Sequence, residues 1–251
     1  MSSIKTTSIV FLLVFGGVLF GMFLHAALPA DYLSEGTKEV VRLSMALIST
    51  MAALVLGLLV ASAKSSYDTQ STALVENAAR VVLLDRVLGH YGTETKETRE
   101  LLRNTYARVL ERMWAKNSAN SSGLEAPSNE AELLIDKILK LSPKDETQRA
   151  LKDQAESIAW GVSQTRWLLY ERQVVSVSTP FLVTLVFWLM AIFASFGLFA
   201  PGNLAVVVCL FISAASVSGA ILMILEMYSP YRGLMQISSA PLRAALAQLG
   251  R

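Results

Sequence analysis

PFLVTLVFWLMAIFASFGLFAPGNLAVVVCLFISAASVSGAILMIL, residues 180–225, holds no Asp, Glu, Lys or Arg, and none stands anywhere between Arg172 and Glu226. One interruption, Pro201-Gly202-Asn203, divides it into apolar tracts at 180–200 and 204–225. About 20 apolar residues carry a helix across the hydrocarbon of a bilayer, and each tract is that long. Pro-Gly-Asn is turn chemistry, and a turn so short joins its arms as a tight hairpin. The stretch predicts two membrane-spanning helices.

The N-terminal quarter repeats the signal. No formal charge falls in 6–30 or in 43–63, the latter bounded by Arg42 and Lys64. Spans at about 8–28, 43–63, 180–200 and 204–225 make the chain polytopic. Hydrophobic residues at 53% and a positive mean hydropathy argue against a soluble domain with four unbroken apolar helices at its centre. Lys5 ahead of an apolar core, with Leu28-Pro29-Ala30 behind it, imitates a signal peptide. Signal cores run about 7–15 residues, and this one extends over 9–28, so it is taken as an uncleaved first span.

Basic residues near membrane ends set orientation. Lys5, Lys64, Arg80, Arg166 and Arg172, then Arg232, Arg243 and Arg251, flank the termini and the long middle segment. The 29–42 loop is mixed in charge and the turn at Pro201 has none. Both termini and the middle segment are therefore expected inside, in the cytoplasm. The expected domains are spans one and two in 1–63, a cytoplasmic helical domain in 64–179, spans three and four in 180–227, and a tail in 228–251 with an amphipathic helix.

A net charge of +2 offers no basic face for nucleic acid. The one cysteine, Cys209, lies within span four and reads as apolar filler. No Walker loop, GxGxxG, HExxH, GxSxG or CxxC occurs, and His25 and His90 have no second ligand at metal spacing. No enzyme, metal or cofactor is expected.

The middle segment is patterned as packed helices. Leu74, Ala78, Val81 and Leu88 continue span two at helical spacing until Gly89-His90-Tyr91-Gly92. A helix over about 96–116 aligns Leu102, Tyr106, Val109 and Met113, and the polar stretch 117–128 reads as a loop. A short helix carries Leu134, Ile138 and Leu141. Ser142-Pro143-Lys144-Asp145 reads as the start of the next, with Ser142 as its cap. That helix places Leu151, Ala155, Ile158, Val162, Thr165 and Leu169 on a seam suited to another helix. Ser178-Thr179-Pro180 restarts the chain as span three. In the tail, Ser239 and Pro241 open a helix whose apolar side is Leu242, Ala245, Leu246 and Leu249. It is expected on the inner membrane surface or on the middle domain, with Tyr228 and Tyr231 in an aromatic belt. The fold class is all-α.

Two features could carry function. Ala46, Thr50, Ala53, Gly57 and Ala61 line one face of span two, and Lys64 continues it. Small stripes let membrane helices approach closely, and around a symmetric axis they can line a pore. Glu226 closes span four on a face with Ser216, Gly219 and Met223. A charge at membrane depth costs about 2.5–3.5 kcal/mol, so it is either a charged mouth or a carboxylate paired with Arg232 or a basic residue of the middle domain. Glu76 and Arg80, four apart, are placed for a helix ion pair and join Glu226 as mouth or gate candidates.

Glu76-Asn77-Ala78, SFGLFAPGN (195–203), SVSGAILMILEM (216–227) and GLMQISSAPLRAALAQLG (233–250) together resemble the bestrophin-like family of membrane proteins. The resemblance covers nearly the whole chain. It implies kinship with bestrophins, pentameric channels that mostly pass chloride, some bacterial members passing cations. It implies a bestrophin-like fold of four membrane helices with a cytoplasmic helical region, and a pore lined by span two. The chain lacks the aromatic neck motif and any acidic cluster like the calcium clasp, so selectivity and calcium gating are not carried over. The resulting expectation is a homo-oligomeric pore, pentameric by resemblance, in the bacterial inner membrane. Its partners would be membrane lipids, further copies of itself and inorganic ions, anions ahead of cations. The rival is a non-conducting scaffold or sensor that binds a partner through its cytoplasmic helices, using the middle domain and the 151–169 seam.

Overall fold

A computed structural model describes residues 3–29, 34–114, 129–172, 179–201, 203–231 and 233–250. The expected loop at 117–128, the cap Ser178, Gly202 of the hairpin turn, and Arg232 and Arg251 lie outside them, as does the Arg172 side chain. The described elements are helical: α1 (Ser3–Ala27), α2 (Glu35–Tyr91), a 3-10 turn (Thr93–Thr95), α3 (Lys96–Met113), α4 (Asn129–Leu139), α5 (Glu146–Arg172), α6 (Thr179–Phe199), α7 (Leu204–Met227) and α8 (Ala240–Gln248). No strand occurs among the described residues. Four of the helices, α1, α2, α6 and α7, are long and apolar enough to cross a membrane. The chain folds into two compact units, one of residues 1–66 and 176–228, the other of 67–175 and 229–251.

The membrane unit is organised around α1. Val10, Val14 and Val18 are buried on its inner face, where Gly17 and Gly21 bring its backbone against α6. A Cβ at Gly17 would lie 2.8 Å from Met190 O, and one at Gly21 would fall onto Ala194 O. From the other side, a Cβ at Gly197 would meet Val18 O. Lipid supplies no hydrophobic force between helices, so close packing of this kind holds them, and small residues four apart permit it. His25 Nδ1 sits 2.8 Å from Leu198 O at the far end of the same contact. Phe11 and Phe15 pack edge-on to Phe211 of α7, each with ring centroids 5.4 Å away. Asn203 caps α7 by accepting the Val206 N–H at 2.9 Å.

α2 runs unbroken for 57 residues, far beyond what a bilayer needs, and passes from the first unit into the second. Ser34 accepts the Thr37 N–H at its start. It ends at Tyr91, where Gly92 takes φ 138°, a conformation that side chains with a Cβ rarely adopt.

In the second unit Leu74, Ala78, Val81, Leu84 and Leu88 of α2 pack with Leu102 and Tyr106 of α3, Ile138 of α4, and Ala155, Val162 and Leu169 of α5. The seam of α5 is therefore filled by its own chain. α5 begins later than the sequence suggested. Its cap is Asp145, which accepts the Gln148 N–H at 2.7 Å, while Gln148 Oε1 accepts the Lys144 N–H at 2.8 Å. This reciprocal pair outcompetes Ser142, and Gln148 Nε2 also donates to Tyr91 O at 2.9 Å.

The tail folds into this second unit. Leu242, Ala245 and Leu249 of α8 are buried in its core, as is Ile237. Trp114 Nε1 donates to Ile237 O at 3.0 Å and stacks edge-on to Tyr231. Tyr231 is thus a core residue and not part of an aromatic belt, and its burial pushes the phenol pKa up. Tyr228 remains with the first unit, its hydroxyl 3.1 Å from that of Ser62. Ser239 occupies the start of α8, but the Ala240 N–H donates to Ser238 Oγ.

Candidate functional site

The small stripe of α2 is exposed, with Ala46 at its start also bordering a cleft against α6 and α7. Ala46, Thr50, Ala53, Gly57, Ala61 and Lys64 are all exposed, and a Cβ at Gly57 would find nothing within 4 Å. What α2 buries in the membrane unit is the opposite face: Ala52, Leu59 and Ala63. Two hundred degrees of rotation separate Thr50 from Ala52 at about 100° per residue, which is why one face meets the chain and the other does not. Thr50 donates its hydroxyl to Ala46 O at 2.9 Å, so the side chain costs the membrane no unpaired donor. Large residues flank the stripe, with Leu47, Leu54 and Leu58 exposed. The close helix approach that small residues permit is made within this chain by α1 and α6. The signal was present as Gly17-Val-Leu-Phe-Gly21, a small residue every fourth position.

The charged candidates separate. Glu226 is buried, 5% exposed, and is partnered within the chain. Its expected face does not share that burial, since Ser216 and Met223 are exposed. Arg232, one partner considered for it, lies outside the described residues. Arg80 does not turn back to Glu76. It reaches α5, where NH1 donates to Thr165 Oγ1 at 3.0 Å and to Gly161 O at 3.3 Å. The guanidinium lies over Gly161, where an added Cβ would come into ordinary contact with it at 3.4 Å. Glu76 stays exposed. The expected i,i+4 ion pair gives way to bonds between α2 and α5.

Several polar groups inside the second unit are held in pairs, although the Tyr91, Thr105 and Tyr231 hydroxyls are buried without a hydrogen bond among the described residues. Tyr106 donates its hydroxyl to Asn77 Oδ1, and Asn77 Nδ2 donates to Val162 O at 3.2 Å, linking α3, α2 and α5. Burial pushes the Tyr106 phenol up, so it stays protonated and donating. Asp85, 1% exposed, accepts both Arg99 Nε and NH2 at 2.8 Å, and also the Gly250 N–H at 3.1 Å. Glu94 pairs with Lys144, whose hydrogen bond holds its carboxyl below the ordinary range. Tyr106, Asn77 and Lys144 stand out in the sequence for other reasons, but none of these pairings is legible there, since each joins residues from different parts of the fold.

Among the described residues no group of three or more His, Cys, Asp or Glu is placed to hold a metal ion. The α2 stripe is among the surfaces that nothing in the described chain covers. The family model described as Bestrophin-like domain matches residues 11–242 of the chain. No curated protein and no solved structure matches it.

Proposed function

We propose, from the premise that this chain belongs to the bestrophin-like family, that it assembles as a homo-oligomeric ion pore, a pentamer, with α2 facing the axis. The reading is supported above all by the exposure of the small stripe from Ala46 to Lys64 on the face of α2 opposite Ala52, Leu59 and Ala63. Around an axis such a stripe leaves a lumen of low bulk, with Lys64 at its end favouring anions over cations. Glu226 and Glu76 are the acidic mouth candidates that remain, while Arg80 braces α5. The second unit gives such an assembly an aromatic contact surface. Trp160 and Trp167, two turns apart on α5, are 57% and 45% exposed. The pore sits in a bacterial inner membrane, with termini and second unit cytoplasmic, and transports ions without covalent chemistry.

The α5 seam packs against α2 and α4, so a partner-binding scaffold would have to use the outer surface of the second unit instead. Cysteine scanning tests the pore. In a Cys209→Ala background, single cysteines at Ala53, Gly57 and Ala61 should react with a membrane-impermeant thiol reagent, and cysteines at Leu54 and Leu58 should not. Equal protection of all five positions would take α2 away from water.

A further inference from the structure

At the hairpin end of the membrane unit, α2, the end of α6 and the start of α7 enclose a cleft of about 540 Å³. That is within the range of small-molecule sites, roughly 300–1,000 Å³. Its walls are apolar, with Met45, Phe196, Phe199 and Leu210 prominent, and Ser49 and Ser195 add two hydroxyls. Lys38 and Arg42 line it at one end, and among the described residues no acidic side chain lines it. Along α2 it extends from Lys38 to Ser49, about 16 Å at 1.5 Å per residue, close to the depth of one leaflet.

The two cations lie just before span two, where headgroups meet hydrocarbon. Lys38 is held by Glu35 at 2.8 Å, and Arg42 is exposed. A greasy slot of one leaflet's depth with cations at its rim matches a molecule with an acyl chain and a phosphate at its head. Basic pockets between membrane helices hold anionic headgroups for the same reason. A guanidinium binds phosphate in a fork, which a quaternary amine on the same lipid would oppose.

We propose that this cleft seats one acyl chain of an anionic glycerophospholipid, with the phosphate bound by Arg42 and, secondarily, by Lys38. Lipid retention is read without any flux, so this site stands or falls separately from conduction.

The test is competitive lipid retention. The purified full chain is equilibrated in detergent with equal phosphatidylglycerol and phosphatidylcholine of the same acyl chains, and retained lipid is counted by native mass spectrometry. A cation near the surface favours anionic lipid by about fivefold, so wild type should retain phosphatidylglycerol at least that strongly. Arg42→Gln should bring the ratio near one, Arg42→Lys should keep most of it, and Ser49→Trp should reduce both lipids. Single-chain phosphatidylglycerol should displace the bound lipid from wild type and single-chain phosphatidylcholine should not, an outcome that needs no variant to fold. Equal retention of the two lipids, or an unchanged ratio in a folded Arg42→Gln, would overturn the proposal. So would displacement by millimolar inorganic phosphate, which would mean a simple anion site. Disulfide linkage of two copies through Ser49→Cys, in a Cys209→Ala background, would show a neighbouring subunit in the cleft instead.

Discussion

Replacing Gly21 by alanine should force α1 off α6. The new Cβ would fall onto Ala194 O and lie 2.8 Å from Leu198 N, where ordinary contact needs about 3.5 Å. Backbone atoms cannot rotate aside as a side-chain end can, so the helices must part by on the order of 1 Å. Parting loosens the neighbouring contacts at Gly17 and Gly197 and stretches the His25 Nδ1 to Leu198 O approach. Overpacking of this kind costs about 1–3 kcal/mol, and with three contacts coupled the upper half of that range is expected. At roughly 2–4 °C per kcal/mol for a chain of this size, the melting temperature should fall by about 4–12 °C. The assay is thermal unfolding in detergent followed by tryptophan fluorescence, with Trp188 on α6 reporting on this unit. Gly16 supplies the control one helix position from Gly17. A Cβ there meets nothing within 4 Å, so Gly16→Ala should stay within about 0.5 kcal/mol of wild type. A Gly21→Ala protein melting within a degree of wild type would refute the backbone-to-backbone packing of α1 and α6.

Three further outcomes follow from the second unit. Arg99→Ala should destabilise more than Asp85→Ala, by thermal unfolding. The former strands a carboxylate 1% exposed, at about 3–5 kcal/mol, whereas the guanidinium left by the latter is 21% exposed. A double-mutant cycle on Glu76→Ala and Arg80→Ala should give a coupling near zero, with Arg80→Ala alone costing about 1–2 kcal/mol from its bonds to α5. Alkaline pH should weaken the fold. Tyr106 and Tyr231 are held protonated by burial, so their folded pKa values lie above the unfolded value near 10. Their contribution is complete below that pH and is lost as pH rises through the folded values. Stability measured by denaturant titration should therefore be flat in this respect to about pH 10 and then fall, with a smaller slope in Tyr106→Phe.

The membrane helices were legible because lipid demands long apolar runs, and α1, α2, α6 and α7 contain runs without a single acid or base. The inner faces of α2 and α3 were legible from periodicity, as Leu74, Ala78, Val81, Leu102 and Tyr106 are all buried. Helix starts were less so. Ser142 and Asp145 are both good caps, and only the return bond from Gln148 to Lys144 decides between them. Small-residue stripes were the hardest case. Span two has the longer stripe, but the glycines that actually meet a backbone are Gly17, Gly21 and Gly197, and which stripe meets a helix depends on a partner the local sequence does not name. The buried links from Asp85 to Arg99 and Gly250, and from Tyr106 to Asn77, likewise join residues that only the folded chain brings together.

Conduction itself is tested by ion flux from proteoliposomes of the purified protein under parallel anion and cation gradients. Flux should occur, favour anions, and vanish in Gly57→Trp while the oligomer stays intact, since Gly57 has open space where its side chain would be. A correctly assembled oligomer that passes no ion under varied pH and calcium, or a Gly57→Trp protein that conducts as wild type does, would contradict a pore lined by α2.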